Sequence, residues 1–286
     1  MTQVQVLEAT ETVEPLAPAE VDPPARANGV ETMAEIDQRI RKTFSVLTQV
    51  AGGIIQGHIR AAIVSGAPGC GKTYTLEREL SNAAATDDVK YRIVKGTMSA
   101  LGLYKELWET RESGHVLMMD DTDEIFGDLP ALNLLKAALD TGKTRRINWL
   151  KESRVLEAEG IDRSFDFEGA VVFITNTDFV RKIASGSGRS QHYNALLTRA
   201  LYVDLGIHSK REVMVRIGQV VFSNEFLSNN DLTRTEAQEM VTWLSDNLER
   251  VRVLSIRTII QLTNMVKTTG SWKDMAEVLM LTKPIY

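Results

Sequence analysis

The sequence predicts an α/β protein in which helices cover both faces of a parallel sheet, followed by a small all-helical C-terminal lid domain. Up to about residue 208, short apolar runs alternate with segments of helical periodicity, which is typical of βαβ units. A glycine-rich segment directly follows the first of these runs, as in sheets that bind phosphate at a helix N-terminus. Beyond residue 209 the strand pattern stops, and only amphipathic helical patterns remain.

Each expected element has its own signal. Apolar residues recur at steps of three and four from Met33 to Val50, which predicts a helix that ends at Gly52-Gly53. Apolar runs bounded by glycine or polar residues predict strands at 61–65, 91–94, 116–119, 171–174 and 201–205. Helical spacing between them predicts helices at 72–84, at 101–110, at 132–139 and around Leu196 and Leu197. Four further amphipathic segments predict the lid helices 210–227, 234–248, 255–268 and 271–281.

The N-terminal segment differs in composition from the rest of the chain. Residues 1–30 hold five acidic residues against one arginine, four of the seven prolines and no aromatic residue. Such a segment cannot bury enough apolar surface to offset its chain entropy, so a disordered acidic, proline-rich tail is expected over 1–31. This tail is either a flexible leader or a docking segment for a protein partner. The expected domains are therefore the tail, an α/β domain over 32–208 and the lid over 209–286.

Composition and charge exclude several classes of protein. The net charge is −5 over 286 residues and lies mostly in the tail, so the body is not a strongly basic nucleic-acid binder, although a local basic patch is allowed. One cysteine and four scattered histidines argue against a disulfide framework and a cysteine or histidine metal site. The chain has no bilayer-length apolar run and no signal pattern, so we expect a cytoplasmic protein without a membrane partner.

The strongest motif is a phosphate-binding loop that matches G-x-x-x-x-G-K-[ST] between a strand and a helix. Its residues are Gly66, Ala67, Pro68, Gly69, Cys70, Gly71, Lys72 and Thr73. The glycines let backbone N–H groups turn inward around an anion, and the helix N-terminus adds its positive dipole end. Lys72 is expected on the β- and γ-phosphates of ATP, and Thr73 on Mg²⁺. Cys70 stands at a variable position and is expected to be a spectator.

A second candidate site follows the third apolar strand, which ends in Asp120-Asp121. A carboxylate at this edge of the sheet reaches the magnesium shell, so Asp120 is the candidate metal ligand. Asp121 is the candidate that orients or deprotonates the attacking water. The alternative is an acidic turn at the strand end, since Asp123 and Glu124 follow at once.

Taken in this order, the motifs resemble those of the AAA+ ATPases over roughly residues 33–281. Asn176, after the strand at 171–174, corresponds to the family's sensor 1, Arg199 to the arginine finger that reaches a neighbouring subunit, and Arg257 to sensor 2 on the lid. The resemblance implies a P-loop NTPase fold, a ring or spiral of identical subunits, and ATP hydrolysis. The implied catalytic residues are Asp121, Asn176, Arg199 and Arg257. The compact layout resembles small AAA+ proteins of phages and mobile elements, which implies the host cytoplasm.

The chain departs from the family's pattern at Asp121, where the family usually has glutamate. The missing methylene withdraws the carboxylate by about 1.3–1.5 Å, and catalysis is sensitive to displacements on that scale. Glu124 is the candidate that would compensate, but its register on the strand is poor. Both active hydrolysis and a slow nucleotide switch therefore remain open.

Two segments bear on the substrate. Tyr104 follows the second strand, where AAA+ translocases carry an aromatic pore residue, but its spacing to Leu107 and Trp108 favours core packing. Residues 143–154 are basic around Trp149, and 145–150 could pair with 164–167 as a hairpin that contacts DNA or RNA. The alternative is a solvated sheet edge. We expect a motor that remodels a nucleic acid or nucleoprotein; the alternatives are a protein-remodelling chaperone and a slowly hydrolysing nucleotide-gated binding module.

Overall fold

The computed structural model describes residues 31–86, 88–186 and 190–283, and the described residues from Met33 onward form one compact unit. The tail predicted over 1–31 lies, up to residue 30, outside the described residues. The strands are β1 Ala61–Ser65, β2 Lys90–Lys95, β3 His115–Asp120, β4 Arg146–Asn148, β5 Ser164–Asp166, β6 Ala170–Thr175 and β7 Leu201–Asp204. The first seven helices are α1 Met33–Ile55, α2 Lys72–Ala84, α3 Ala100–Glu109, α4 Leu129–Ala138, α5 Arg154–Glu159, α6 Phe179–Ala184 and α7 Ser190–Leu197. The C-terminal helices are α8 Lys210–Val221, α9 Asn224–Asn229, α10 Arg234–Asp246, α11 Ile256–Thr268 and α12 Trp272–Met280.

Five parallel strands form the main sheet, in the order β2-β3-β6-β1-β7. β1 and β6 are buried along their whole length, as expected for central strands with helices on both faces. The register places Ser65 opposite Thr175 and Asp120 opposite Ile174. β6 therefore separates β1 from β3, and the residues that follow these three strands meet at one edge of the sheet.

Side chains of the sheet divide between two apolar clusters, one on each face. On β1, Ile63 packs with residues of α3, α4 and α7, while Ala62 and Val64 pack with residues of α1 and α2. The alternation follows from the two-residue period of a strand. The predicted α/β architecture with helices on both faces of a parallel sheet is confirmed.

The C-terminal helices α8 to α12 enclose an apolar cluster of their own, which includes Ile217, Met240 and Leu262. The helix predicted over 210–227 is in fact two helices, because the Ser223 hydroxyl accepts from the Phe226 N–H and starts α9 as a new helix. The domain boundary at 208/209 stays a prediction. In the described part of the chain, no helix is long and apolar enough to cross a membrane.

The end predicted for α1 is wrong by about one turn. The helix continues through Gly52 and Gly53 to Ile55, and the chain reverses at Gly57, whose φ is +74°. A Cβ on Gly53 would lie 2.5 Å from Cδ1 of Ile59, so a larger residue there would require the Ile59 side chain to move. The glycine pair therefore allows the returning chain to approach the helix and does not end it.

Short helices are the elements that periodicity misses. The 3-10 helix Asp123–Gly127, α5 and α6 each span too few residues for a helical pattern. The starts of α5 and α6 depend on local capping instead, since Ser153 accepts from the Leu156 N–H and Asp178 from the Arg181 N–H.

Candidate nucleotide-binding site

The phosphate-binding loop joins β1 to α2, as its motif predicts. Gly69 has a φ of +68° and Gly71 a φ of +101°, in the left-handed region that glycine enters without strain. A Cβ on Gly69 would also lie 2.9 Å from Cβ of Ser255, at the start of α11. Glycine at this position thus permits both the turn of the loop and its contact with the C-terminal helices.

Lys72 begins α2 and folds back over the loop. Its Nζ donates to the carbonyl oxygens of Gly66 at 2.8 Å and Ala67 at 3.0 Å, and to Oδ1 of Asn176 at 2.8 Å. Burial lowers the pKa of the ammonium, and the nearby carboxylates Asp121 and Asp120 oppose that effect. The predicted cation is therefore held at the floor of the loop and is linked to the predicted sensor 1 residue.

The two predicted metal ligands lie together. Oγ1 of Thr73 donates to Oδ2 of Asp120 over 3.0 Å, and Nζ of Lys95 lies 3.5 Å from the same oxygen. Among the residues described, no group of three or more Asp, Glu, His or Cys side chains could hold a metal. One hydroxyl and one carboxylate suit Mg²⁺, which takes few protein ligands and fills its octahedron with phosphate oxygens and water. The pair therefore fits the predicted ion.

Asp121 and Asn176 meet because β6 lies between β1 and β3. The Asn176 amide donates from Nδ2 to Oδ1 of Asp121 over 2.9 Å, while its own Oδ1 accepts from Lys72. The Lys72 contact therefore fixes which end of the amide faces Asp121. Asp121 has a φ of +52°, which is uncommon for a residue other than glycine, and its N–H donates to the Ile174 carbonyl.

The next two acidic residues do not share this role. Oδ2 of Asp123 accepts from the hydroxyls of Thr175 at 2.8 Å and Thr177 at 2.9 Å, so this carboxylate ties the 3-10 helix to the end of β6. Glu124 is exposed and is absent from the residues that line the cavity described below. Its position agrees with the poor register expected from the sequence.

These residues surround a cavity of about 190 Å³. Its lining comprises Pro68, Gly69, Gly71, Lys72, Thr73, Tyr74, Asp120, Asp121, Asn176, Ile256, Arg257 and Ile260. Arg257 belongs to α11, whose first N–H donates from Ile256 to the Gly69 carbonyl over 2.9 Å. The structure thus brings the predicted sensor 2 arginine into the same cavity as the loop and the acidic pair.

Arg199 is the predicted catalytic residue that lies elsewhere. Its Nη1 donates to the Ala195 carbonyl over 2.6 Å, and its Nε lies 3.7 Å from Oδ1 of Asp140, beyond the end of α4. It is not among the residues that line the cavity. Its predicted role in a neighbouring subunit's site stays a prediction.

Two segments were predicted to bear on the substrate: Tyr104 and the hairpin that includes 145–150. Tyr104 is fully buried and its hydroxyl donates to the Asp162 carbonyl over 2.6 Å, so the expectation of core packing is confirmed. The predicted hairpin is also present, because β4 and β5 pair antiparallel as a separate two-stranded sheet.

Within the hairpin, the phosphate-contacting role predicted for Arg145 is wrong. The residue is 3% exposed and donates to the carbonyls of Ala138 at 2.8 Å and Gly169 at 2.7 Å, with its guanidinium over the Phe167 ring. Burial lowers the pKa of Arg145 to about 10. The side chain of Trp149 is also largely taken up by packing, since its ring lies 5.6 Å from that of Tyr104.

Sequence reasoning missed Arg216 altogether. This residue of α8 donates from Nε to the Cys70 carbonyl over 3.3 Å and stacks on the Phe44 ring, with its Cζ 3.5 Å from the centroid. A basic residue on an amphipathic helix matches no sequence motif. The contact of Arg216 with the loop is seen only once the structure shows that α8 packs against it. Cys70 itself is buried, which raises the pKa of its thiol and agrees with the expected spectator role.

The chain was compared with protein-family models, with curated proteins and with solved structures. No family model matches it. It is 40% identical over 247 residues to an uncharacterized 36.7 kDa protein from the nrdC-mobD intergenic region of Enterobacteria phage T4, and the match covers 86% of this chain and 76% of that protein.

Solved structures with a similar fold include the Thermotoga maritima RuvB Holliday junction branch migration motor, at 17% identity and a TM-score of 0.44. AMPPCP-bound DnaA from Aquifex aeolicus follows at 14% identity and a TM-score of 0.49. The matches cover 85% and 83% of this chain but only 63% and 64% of those chains, so it spans less than two thirds of their length. Its strand order and its phosphate-binding loop are those of the AAA+ P-loop fold, and by its 40% identity the chain belongs to the family of the phage T4 36.7 kDa protein.

Proposed function

We propose that the protein binds and hydrolyses Mg-ATP at the interfaces of a ring or spiral of identical subunits, and that it uses this energy to remodel a nucleic acid or nucleoprotein. One observation carries the proposal. The loop lysine, the Thr73–Asp120 pair, the Asn176–Asp121 pair and Arg257 all line a single cavity. Each of these groups has a function in phosphoryl transfer, and the chain brings them together from α2, α11 and the ends of β3 and β6.

Binding of the triphosphate depends on the loop and on Lys72. The backbone N–H groups at the start of α2 and the positive end of the helix dipole attract the phosphate oxygens. Lys72 engages Gly66, Ala67 and Asn176, so it exchanges at least one of these contacts for a β- or γ-phosphate oxygen.

Thr73 and Asp120 would hold the magnesium ion, directly or through its water shell. When bound, the ion neutralises charge on the β- and γ-phosphate oxygens. In the nucleotide-free chain, Nζ of Lys95 lies 3.5 Å from the Asp120 carboxylate and partly balances its negative charge.

Hydrolysis requires a group that orients or deprotonates the attacking water, and Asp121 supplies it. The carboxylate is shorter than the glutamate of the AAA+ pattern, but its left-handed backbone and the Asn176 amide hold it at the cavity. Glu124 is exposed outside the cavity and does not replace it. If Asp121 is still too distant, the chain acts instead as a slow nucleotide-gated binding module.

Arg199 completes the site from a neighbouring subunit. An arginine finger stabilises the charge on the transferring phosphoryl group and contributes about 10³–10⁵ in rate where it has been measured. Since Arg199 lies outside its own chain's cavity, it acts in trans in this proposal.

The exposed part of residues 143–154 is the proposed contact for DNA or RNA. Lys143, Lys151 and Arg154 are exposed, and Leu150 between them is 86% exposed. Basic side chains bind the phosphate backbone whatever its sequence, and an exposed apolar side chain such as Leu150 is of the kind that inserts between base steps. The alternative substrate is a polypeptide, with the N-terminal tail as a docking segment for a protein partner.

Mixing two inactive variants tests the shared site. Arg199→Ala should bind ATP normally and hydrolyse it poorly, whereas Asp121→Asn keeps a sound finger beside a defective pocket. In mixtures, an intact pocket of the first variant meets an intact finger of the second, so ATPase activity should exceed that of either variant alone. Glu124→Gln is the matched control for Asp121→Asn and should keep near-native turnover.

The same assay identifies the substrate class when DNA, RNA or unfolded protein is added to the wild type. Stimulation by nucleic acid supports the proposal, and stimulation by unfolded protein alone supports the chaperone. No recovery on mixing, despite verified co-assembly, would refute the shared site. A Glu124→Gln variant less active than Asp121→Asn would transfer the water-orienting role to Glu124.

A further inference from the structure

Arg216 is a cation beside the phosphate-binding loop that has no role in the mechanism above. It belongs to α8, the first of the C-terminal helices, and reaches the loop through the Cys70 carbonyl at 3.3 Å. Its guanidinium stacks on Phe44 of α1, and its Nη1 donates to Gln219 over 3.1 Å. A Cβ on Gly71 would lie 3.5 Å from its Nη2, so the side chain also borders the last glycine of the loop.

The charge of this guanidinium is not neutralised within the part of the chain that the structure describes, where no carboxylate lies within ion-pair distance of it. Acidic residues of the neighbouring helices are already paired: Asp37 with Arg41, Glu212 with Arg39 and Glu225 with Arg78. Burial, together with repulsion from Arg41 and Arg78, lowers the pKa of Arg216 to about 10.

A partly buried cation without a counter-ion reduces stability, so its presence calls for a compensating gain. The strong anion that this region would receive is the bound triphosphate of the proposed function, which would interact with Arg216 across Gly71 and not by direct contact, since Arg216 is not among the residues that line the cavity. Its negative charge beside Gly71 would favour the charged guanidinium, and the guanidinium would favour the bound nucleotide by the same amount.

We propose that Arg216 is a positioning residue for the nucleotide: it fixes the Cys70 segment of the loop from the lid helix α8, and its charge is compensated by the bound phosphates. The proposal rests on the proposed function, because it requires a nucleotide in the loop. The Arg216–Cys70 hydrogen bond is a second contact between the loop and the C-terminal helices, independent of the Ile256–Gly69 hydrogen bond at the start of α11. Nucleotide binding then stabilises the packing of α8 on the loop.

Two measurements on the full chain test this: equilibrium binding of a fluorescent ATP analogue, and thermal unfolding with and without ATP. Arg216→Met should weaken analogue binding about tenfold, the effect of one charge-assisted interaction. The Tm of the nucleotide-free variant should change little, because removal of an uncompensated charge offsets the lost hydrogen bonds to Cys70 and Gln219. In steady state, KM should rise while kcat stays near the wild-type value.

Two further variants complete the design. Arg216→Lys keeps the charge but loses the stacked, planar guanidinium, so its affinity should lie between those of the wild type and Arg216→Met. Arg211→Met removes a cation from the same helix that contacts Met33 instead of the loop, and it should bind the analogue like the wild type.

Each outcome separates the two proposals. If the wild type shows no ATP-dependent rise in Tm, the proposed function fails and the role of Arg216 fails with it. If the wild type binds and Arg216→Met binds equally well, only the role of Arg216 is refuted. A lower nucleotide-free Tm with unchanged affinity would show that Arg216 merely supports the fold.

Discussion

Lys72 of the phosphate-binding loop and Arg145 of the insertion between α4 and β6 are both buried cations that donate to backbone carbonyls. Around Lys72, two glycines in the left-handed region open the loop and leave the ammonium beside a cavity. Around Arg145, the carbonyls of Ala138 and Gly169 and the Phe167 ring close over the guanidinium. The backbone around a buried cation, and not its charge or its basic neighbours, therefore decides whether it stays accessible beside a cavity.

The largest expected effect concerns Lys72. Lys72→Ala should lose ATP binding almost completely, by at least about a hundredfold, because it removes the ammonium that contacts the β- and γ-phosphates. Equilibrium binding of a fluorescent ATP analogue measures the loss. Lys90→Ala, at an exposed position at the start of β2, is the matched control and should bind normally. Unaltered affinity of Lys72→Ala would contradict the difference drawn between the two residues, since Lys72 would then, like Arg145, only stabilise the fold.

The second prediction separates the buried arginine from the exposed cations of the same insertion. Arg145→Met should lower the free energy of unfolding by about 2–3 kcal/mol, since it leaves two buried carbonyls without donors. Denaturant unfolding measures this loss. Lys151→Glu with Arg154→Glu should leave stability nearly unchanged, because both side chains are exposed.

The same exposed pair should govern nucleic-acid affinity. The double charge reversal should weaken DNA or RNA binding and flatten the slope of its salt dependence, by about 0.9 for each phosphate that is no longer neutralised. A salt titration of binding checks this, with basal ATP hydrolysis as the control that stays constant. Unchanged binding would exclude the insertion as the nucleic-acid contact and favour the chaperone.

The contrast between buried and available cations also explains how much could be predicted from the sequence. The loop, Asp120 and Asn176 were predictable because their roles depend on backbone conformation and on strand ends, and both leave local patterns in the chain. The cavity position of Arg257 follows from its place at the start of a helix that contacts the loop. For Arg145 and Arg216, no local sequence pattern predicts whether the guanidinium is buried or where it makes contact. The burial of one and the loop contact of the other depend on segments distant in the chain, such as Gly169 and Phe44.

The smallest effect concerns a third cation, Arg39, whose counter-charge lies inside the chain. Arg39 contacts Glu212, which also accepts from the backbone N–H groups of His208 and Ser209. Burial opposes the shift, but these contacts lower the pKa of Glu212 to about 2 from the ordinary 4.5. The folded state therefore binds this proton less readily than the unfolded state, so the stabilisation is present above about pH 4.5 and lost as the pH falls towards 2.

Glu212→Gln should accordingly cost about 1–2 kcal/mol of unfolding free energy at pH 7, since the ion pair is partly exposed to solvent. Urea unfolding of both proteins between pH 7 and pH 3 should show the two curves converging, because the unfolded wild type takes up a proton at Glu212 below about pH 4.5 while the folded state does not. Glu236→Gln is the matched control, because Glu236 occupies the same capping position on α10 with Thr233 as its partner and with hydroxyl and backbone donors only. Its loss should be smaller, and the difference between the two variants reports the Arg39 contact together with the His208 N–H bond that Glu236 lacks. Equal losses, or a Glu212→Gln deficit that does not shrink on acidification, would show that the cap alone stabilises α8 and that Arg39, like Arg145, acts through its carbonyl contact to Gly206.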